Sequence, residues 1–314
     1  MGSIHSQTQV PNTAEVRNAQ ARVDEWQTQA AAIAEEAVLL AASSSPVGGQ
    51  VADVYSMGKN ISSGNYLWAI VDGIGLIPAV GDAIKGAAKG TKIARAATRA
   101  AKGLQAAKAA LSRARQMARK KAAAKAYWSQ VKAKRKKILD KYKGCKDAKC
   151  AAARDKELRE ASKRLPKSNG KWVDKNGNPV PAGSGYWKPE PGSSLDKALA
   201  KHQQPVLGVP FKDGRPDFTG FPPASQKGTL HQVQIDMAGN SSSDITAAQN
   251  ALIAKGGPNT KGSRKDGTWH HESDGVTMSY VDKDVHTAYQ HPDGNKNSGT
   301  PHVGGDSMMC DPEF

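Results

Sequence analysis

Aromatic residues are scarce in this 314-residue chain: 6 Trp, 7 Tyr and 4 Phe make up 5% of it. With a mean hydropathy of −0.60, that scarcity excludes one large packed core along the whole length. A prior of about 150 residues per domain gives roughly two domains. Cysteine is also rare. Cys145 and Cys150 sit in CKDAKC and Cys310 stands alone; this is not the CxxC pairing of a zinc ribbon, and no second pair exists to complete one. The first two admit either a disulfide after export or two free thiols. The opening MGSIHSQTQVPNTAEV lacks the apolar core of a secretory signal, so any export is expected to use a specialised machine. Long apolar runs are missing too. NYLWAIVDGIGLIPAVGDAIKGAAKG, residues 65–90, is broken by Asp72, Pro78 and Asp82, short of the about 20 mostly apolar residues a span needs. It reads as a pair of short helices, buried or touching a membrane.

Acidic charge is the remaining deficit, at 29 Asp and Glu against 45 Lys and Arg. The excess is local. Between Ala101 and Arg164 there are 22 cations and 5 anions, a net of +17, which leaves about −1 elsewhere. Such a segment attracts polyanions, either nucleic acid or an anionic membrane surface; a solvated helical linker accounts for the charge equally well.

The chain divides by composition. In the N-terminal helical segment, 1–64, a helix is expected over Thr13–Ala42, with Val23, Trp26, Ala30 and Ile33 at spacings of three and four. Residues 65–165 are apolar and Gly/Ala-rich, then basic, and favour helix throughout from Thr91 to Arg164. Residues 166–194 are dense in Pro, Gly and Asn and read as a linker or small hairpin module. Residues 195–314 read as a compact α and β domain: KDGR (212–215) is a turn, LHQVQIDM (230–237) alternates as a half-buried strand, and Asp244 is expected to cap a helix ITAAQNALIAK.

Of the 8 histidines, His270, His271, His286 and His291 fall within 22 residues. GTWHHE is a strand, SDG a hairpin turn, VTMSYV a second strand, and Asp282 caps a helix KDVHTAYQ. Neighbours on a strand point to opposite faces, so His270 and His271 carry different jobs. His286 lies in the first turns of the helix. His291, held out of helical geometry by Pro292, curls back past its end. These placements suit a metal on His270, His286 and His291 with an open position, leaving His271 as a general base. Taken singly, each histidine reads as a surface or hydrogen-bonded residue, and HESDG is not the HExxH of zinc proteases.

TWHHESDGVTMSYVDKDVHTAYQH, with GVPFKDGRPDF and VQIDMAGNSSSDITAAQNAL upstream, resembles the HNH/endonuclease VII superfamily, in particular toxin nucleases named for a Trp-His-His motif. Ser279 stands where that family usually has a polar amide, and Asp282 where it has Pro. The resemblance implies an α+β chain: a helical N-terminal region followed by a C-terminal ββα-metal (HNH-like) nuclease domain. It implies His270, His286 and His291 as ligands of one divalent metal (Zn, Mg, Mn or Ni), with His270 and His271 as the catalytic pair and His271 as the base. DGIGLIPAVGDAIKGAAKGTKIARAA resembles the pretoxin regions of bacterial polymorphic toxins. This implies a secreted antibacterial effector, carried by a machine such as the type VI system with an adaptor or chaperone, acting in the target-cell cytoplasm and countered by a cognate immunity protein. DNA is the expected substrate, with Arg215, Arg264 and Lys265 on phosphate. Two other readings stand beside it: an RNase on the same scaffold, and a membrane-active toxin whose residues 65–164 do the damage.

Overall fold

The computed structural model describes residues 10–44, 88–162, 165–202, 207–226, 228–260 and 266–290. The apolar stretch expected to form short helices before Ala88 lies outside them, as do Arg264, Lys265 and His291. The arrangement is α+β, with helices first and then strands mixed with helices. It divides into two compact units, 1–118 and 119–314.

In the first unit, α1 (Ala14–Ser44) packs against the first half of α2 (Ala88–Lys141). Val16 and Val23 meet Leu104, Ala107 and Leu111, while Ala30 meets Ala97 and Ala100. Alanine at these contacts keeps helix propensity high, but it leaves little apolar area per residue to bury.

The second half of α2 belongs to the second unit. The expected unbroken helix to Arg164 does not occur: α2 ends at Lys141 and α3 (Ala148–Ser162) begins afresh. Gly144, at φ 97°, supplies the left-handed residue that ends a helix, and a Cys145–Cys150 disulfide closes the corner. Asp147 accepts from the Cys150 N–H and so opens α3.

Four antiparallel strands follow in sequential order: β1 (Gly170–Val173), β2 (Gly185–Pro189), β3 (Val209–Lys212) and β4 (Arg215–Pro216). The short helix α4 (Ser194–Leu199), capped by Ser193, connects β2 to β3. Trp172 pairs with Trp187 across the first hairpin and packs edge-on against Phe211. Asp213 (φ 52°) and Gly214 (φ 86°) make the two-residue turn between β3 and β4, both left-handed as such hairpins require.

The second sheet has the order β5–β7–β6, built from β5 (His231–Gln234), β6 (Gly267–His271) and β7 (Thr277–Asp282). One face carries Val233, Trp269, Met278 and Tyr280 against Ala248 and Leu252 of α5 (Ser241–Ala254). On the other face Val281 joins the core of the first sheet, together with Val285 and Tyr289 of α6 (Lys283–Gln290). LHQVQIDM is shorter as a strand than its alternation suggests, yet Ile235 and Met237 stay buried and Ile235 N–H bonds the Val276 carbonyl. Asn240, rather than the expected Asp244, caps α5, its side chain accepting from the N–H groups of Ser242 and Ser243.

Candidate active site

The histidine hairpin is assembled locally. After His271 the chain turns over Ser273–Gly275, where the Asp274 carboxylate accepts from the N–H groups of Val276 and Thr277 and from the Thr277 hydroxyl. That turn sets the register, pairing His270 with Ser279 and His271 with Met278. Asp282 then accepts from the Val285 N–H at 2.8 Å, the bond of an N-cap, and starts α6 one residue after the strand ends.

Strand alternation separates the two adjacent histidines. His270 faces α6, and its Nδ1 lies 3.3 Å from His286 Nε2. Both rings are buried, and Phe218, itself fully buried, lies against each of them with ring centres 4.9 Å and 5.2 Å away. His271 faces α5, where its Nε2 lies 3.2 Å from Oδ2 of Asp244. Asp244 is 1% exposed, and its other oxygen accepts from the Ala238 N–H. A carboxylate can only accept; with both oxygens engaged, Asp244 fixes the His271 ring and leaves Nδ1 as the imidazole's acceptor.

Behind His270 runs a second polar chain. Gln232 donates to the Ser279 hydroxyl, which donates to Oε1 of Glu272 at 2.6 Å, while Oε2 of Glu272 stands 3.9 Å from His270 Nε2. Burial pushes the Glu272 carboxyl above the usual carboxylate range, against the Ser279 bond that lowers it.

Two nitrogens bound to one tetrahedral metal at about 2.0–2.1 Å stand about 3.3–3.4 Å apart. The His270–His286 separation of 3.3 Å fits that value, and neutral imidazole suits most divalent transition metals. Among the described residues no group of three or more His, Cys, Asp or Glu side chains is placed to hold a metal; a metal on His270 and His286 would take any further protein ligand from outside them. The expected third, His291, lies outside them, with Arg264 and Lys265. Arg215 is described, and its guanidinium lies over the Trp128 ring at 5.0 Å.

Sequence reasoning did not find Asp244, Glu272, Phe218 or Gln232. Only Asp244 left a signal: it follows Asn240 by one helical turn, and Asn240 already supplies the cap.

Residues 209–292 match the family model described as the DNase/tRNase domain of colicin-like bacteriocin. No curated protein and no solved structure matches the chain. The stretch that holds His270, His271, His286, Asp244 and Glu272 is therefore similar to a toxin nuclease domain, whose chemistry is hydrolysis of nucleic acid.

Proposed function

We propose that the chain is a metal-dependent DNA endonuclease of the HNH type, acting as a secreted antibacterial toxin. One observation carries this reading: within the stretch similar to a toxin nuclease, one strand presents His270 to a buried His286 and His271 to a buried Asp244. His270, His286 and His291 hold one divalent ion. When bound, the ion supplies charge to stabilise the phosphate and the leaving oxygen. His271, its Nε2–H donated to Asp244, accepts a proton from water at Nδ1, and Asp244 stabilises the cation that forms. β6 is an outer strand of its sheet, and the phosphodiester is proposed to bind along that edge. Glu272, held by the Ser279 hydroxyl, stands behind His270 at 3.9 Å. The proposed domains run 1–64, 65–165, 166–194 and 195–314.

An immunity protein with carboxylates at its contact surface protects the producing cell. Delivery is through a specialised secretion machine into the target-cell cytoplasm.

The RNase alternative is kept because the matched family description covers tRNase as well as DNase. The membrane-active alternative loses support over residues 119–141, where the apolar face of α2 is packed into protein. No helix among the described residues is long and apolar enough to cross a membrane.

The test is plasmid nicking by the full chain beside His271→Ala, with chelator and with Mg, Mn, Ni or Zn restored. Cutting that needs both His271 and metal is expected. Loss of tRNA with intact plasmid would transfer the reading to RNA, and no cutting of either would end it.

A further inference from the structure

The second half of α2 is fixed to the histidine hairpin, although it lies outside residues 209–292. Trp128 donates its indole N–H to the Ser273 carbonyl at 2.9 Å, two residues beyond His271. Lys120 bonds the Asp236 carboxylate and the Met237 carbonyl. Arg135 is buried among Ser162, Ala182 and Ser184. Ala124, Tyr127, Trp128, Val131 and Arg135 are all buried, so this side of the helix is closed to any partner.

What remains exposed is patterned. At about 100° per residue, Lys121, Lys125, Lys132 and Lys136 fall within about 60° of one another, and all four are exposed. The stripe runs beside Trp128, where Arg215 stacks, and Lys132 reaches Asp213 of the β3–β4 turn at 3.6 Å. From Lys121 to Lys136 a helical rise of about 1.5 Å per residue gives about 22 Å, the axial length of six or seven phosphates of one DNA strand at about 3.4 Å each.

We infer that this lysine stripe, continued by Arg215, is a phosphate track that lays duplex DNA alongside the histidine hairpin. The inference rests on the nuclease reading and extends its binding surface beyond residues 209–292. A lipid surface fits the stripe poorly. An interfacial helix must sink an apolar face, and that of α2 is used; the exposed large hydrophobic residues among those described are Leu39 and Ile253, neither on this helix. Phosphate contacts of this kind position the duplex without reading its sequence, so the track adds affinity and salt dependence rather than sequence preference.

The test measures duplex DNA binding by the full chain, carrying His271→Ala and kept in chelator so that the duplex survives, across about 50 to 200 mM salt. Variant one adds K121Q/K125Q/K136Q. Variant two adds R119Q/K134Q/K137Q, which removes three exposed cations from a stripe about 150° away around the helix. Losing three phosphate contacts lowers the slope of log K against log salt by up to about 2.7, so affinity falls about 40-fold less over that range. We expect this for variant one and a near-unchanged slope for variant two; lysine-to-arginine changes at the same three positions keep the parental slope. An unchanged slope in variant one, or equal losses in both, overturns the track. So does a loss seen only with phosphatidylserine-containing vesicles or only with duplex RNA. The separate nicking assay distinguishes the two claims: cutting without the slope change removes the track alone, and the slope change without cutting removes the nuclease reading alone.

Discussion

Removing the Arg135 guanidinium is expected to destabilise the second unit by about 3–5 kcal/mol, from two buried acceptors left without a donor plus a cavity. Arg135 is 3% exposed and donates to the Ser162 hydroxyl at 2.7 Å, the Ala182 carbonyl at 2.7 Å and the Ser184 hydroxyl at 3.3 Å. Burial lowers its pKa and opposes the charge, partly offset by Asp213 and Asp155, but a guanidinium stays charged in proteins. In Arg135→Ala, the carbonyl of the buried Ala182 and the hydroxyl of the buried Ser162 lose their donor. Each costs about 1–3 kcal/mol, and the vacated volume adds a cavity term. Arg135→Met keeps the apolar stem and removes only the donors, so it should fall between Ala and wild type. Arg135→Lys cannot donate to all three acceptors from one compact ammonium and should not restore full stability. The assay is urea unfolding of the full chain followed by tryptophan fluorescence, since Trp128, Trp172, Trp187 and Trp269 all lie in this unit. If Arg135→Met matched or exceeded wild type, desolvation would outweigh the three bonds and the reasoning would fail.

His286→Ala should lose both metal binding and cutting, whereas His271→Ala keeps metal and loses cutting; calorimetric metal titration beside the nicking assay decides it, and equal metal loss would undo the division of roles. Asp244→Asn should slow cutting at least about 100-fold with little change in metal affinity, because the amide no longer fixes the tautomer of the base imidazole; an unaltered rate would free Asp244 of that role. The Glu157 carboxyl is held below its usual range, first by the hydrogen bond from Lys141 and then by that from Tyr142, while Lys141 is correspondingly raised. Because the carboxyl is depressed, its contribution is present above about pH 4.3 and fades as pH falls through the folded value. Because the ammonium is raised, its contribution is present below about pH 10.4 and fades as pH climbs through the folded value. Thermal melts of wild type and Glu157→Gln should therefore differ between these limits and converge in acid; a gap persisting at the lowest pH would refute the linkage.

The histidine hairpin was legible because its signals are local. GTWHHE, the SDG turn, VTMSYV and the Asp282 cap each act within a few residues, and they became β6, a turn, β7 and α6. Strand alternation alone separated His270 from His271. What was not legible depends on distance in sequence. Asp244 meets His271 across 27 positions, and Arg135 meets Ala182 across 47. No local pattern distinguishes a buried arginine inside KAKRKK from its exposed neighbours, and the Ala- and Lys-rich run from Thr91 favours helix so strongly that composition hides the break at Gly144. Asp244 misled for a related reason: Asp early in a helix suits a cap, yet Asn240 stood one turn earlier and took that place.

The bond from Trp128 to Ser273 joins residues 145 positions apart, and this has a temporal side. At synthesis rates of about 5–20 residues per second, the helix waits roughly 7–30 s on the ribosome before its partner turn exists. The hairpin that must meet it carries the paired histidines, so neither the helix anchor nor the His270–His286 pair can form before that stretch has been made. A nascent or interrupted chain therefore holds the basic helix without the site, and the producing cell meets the assembled site only once the hairpin has been made.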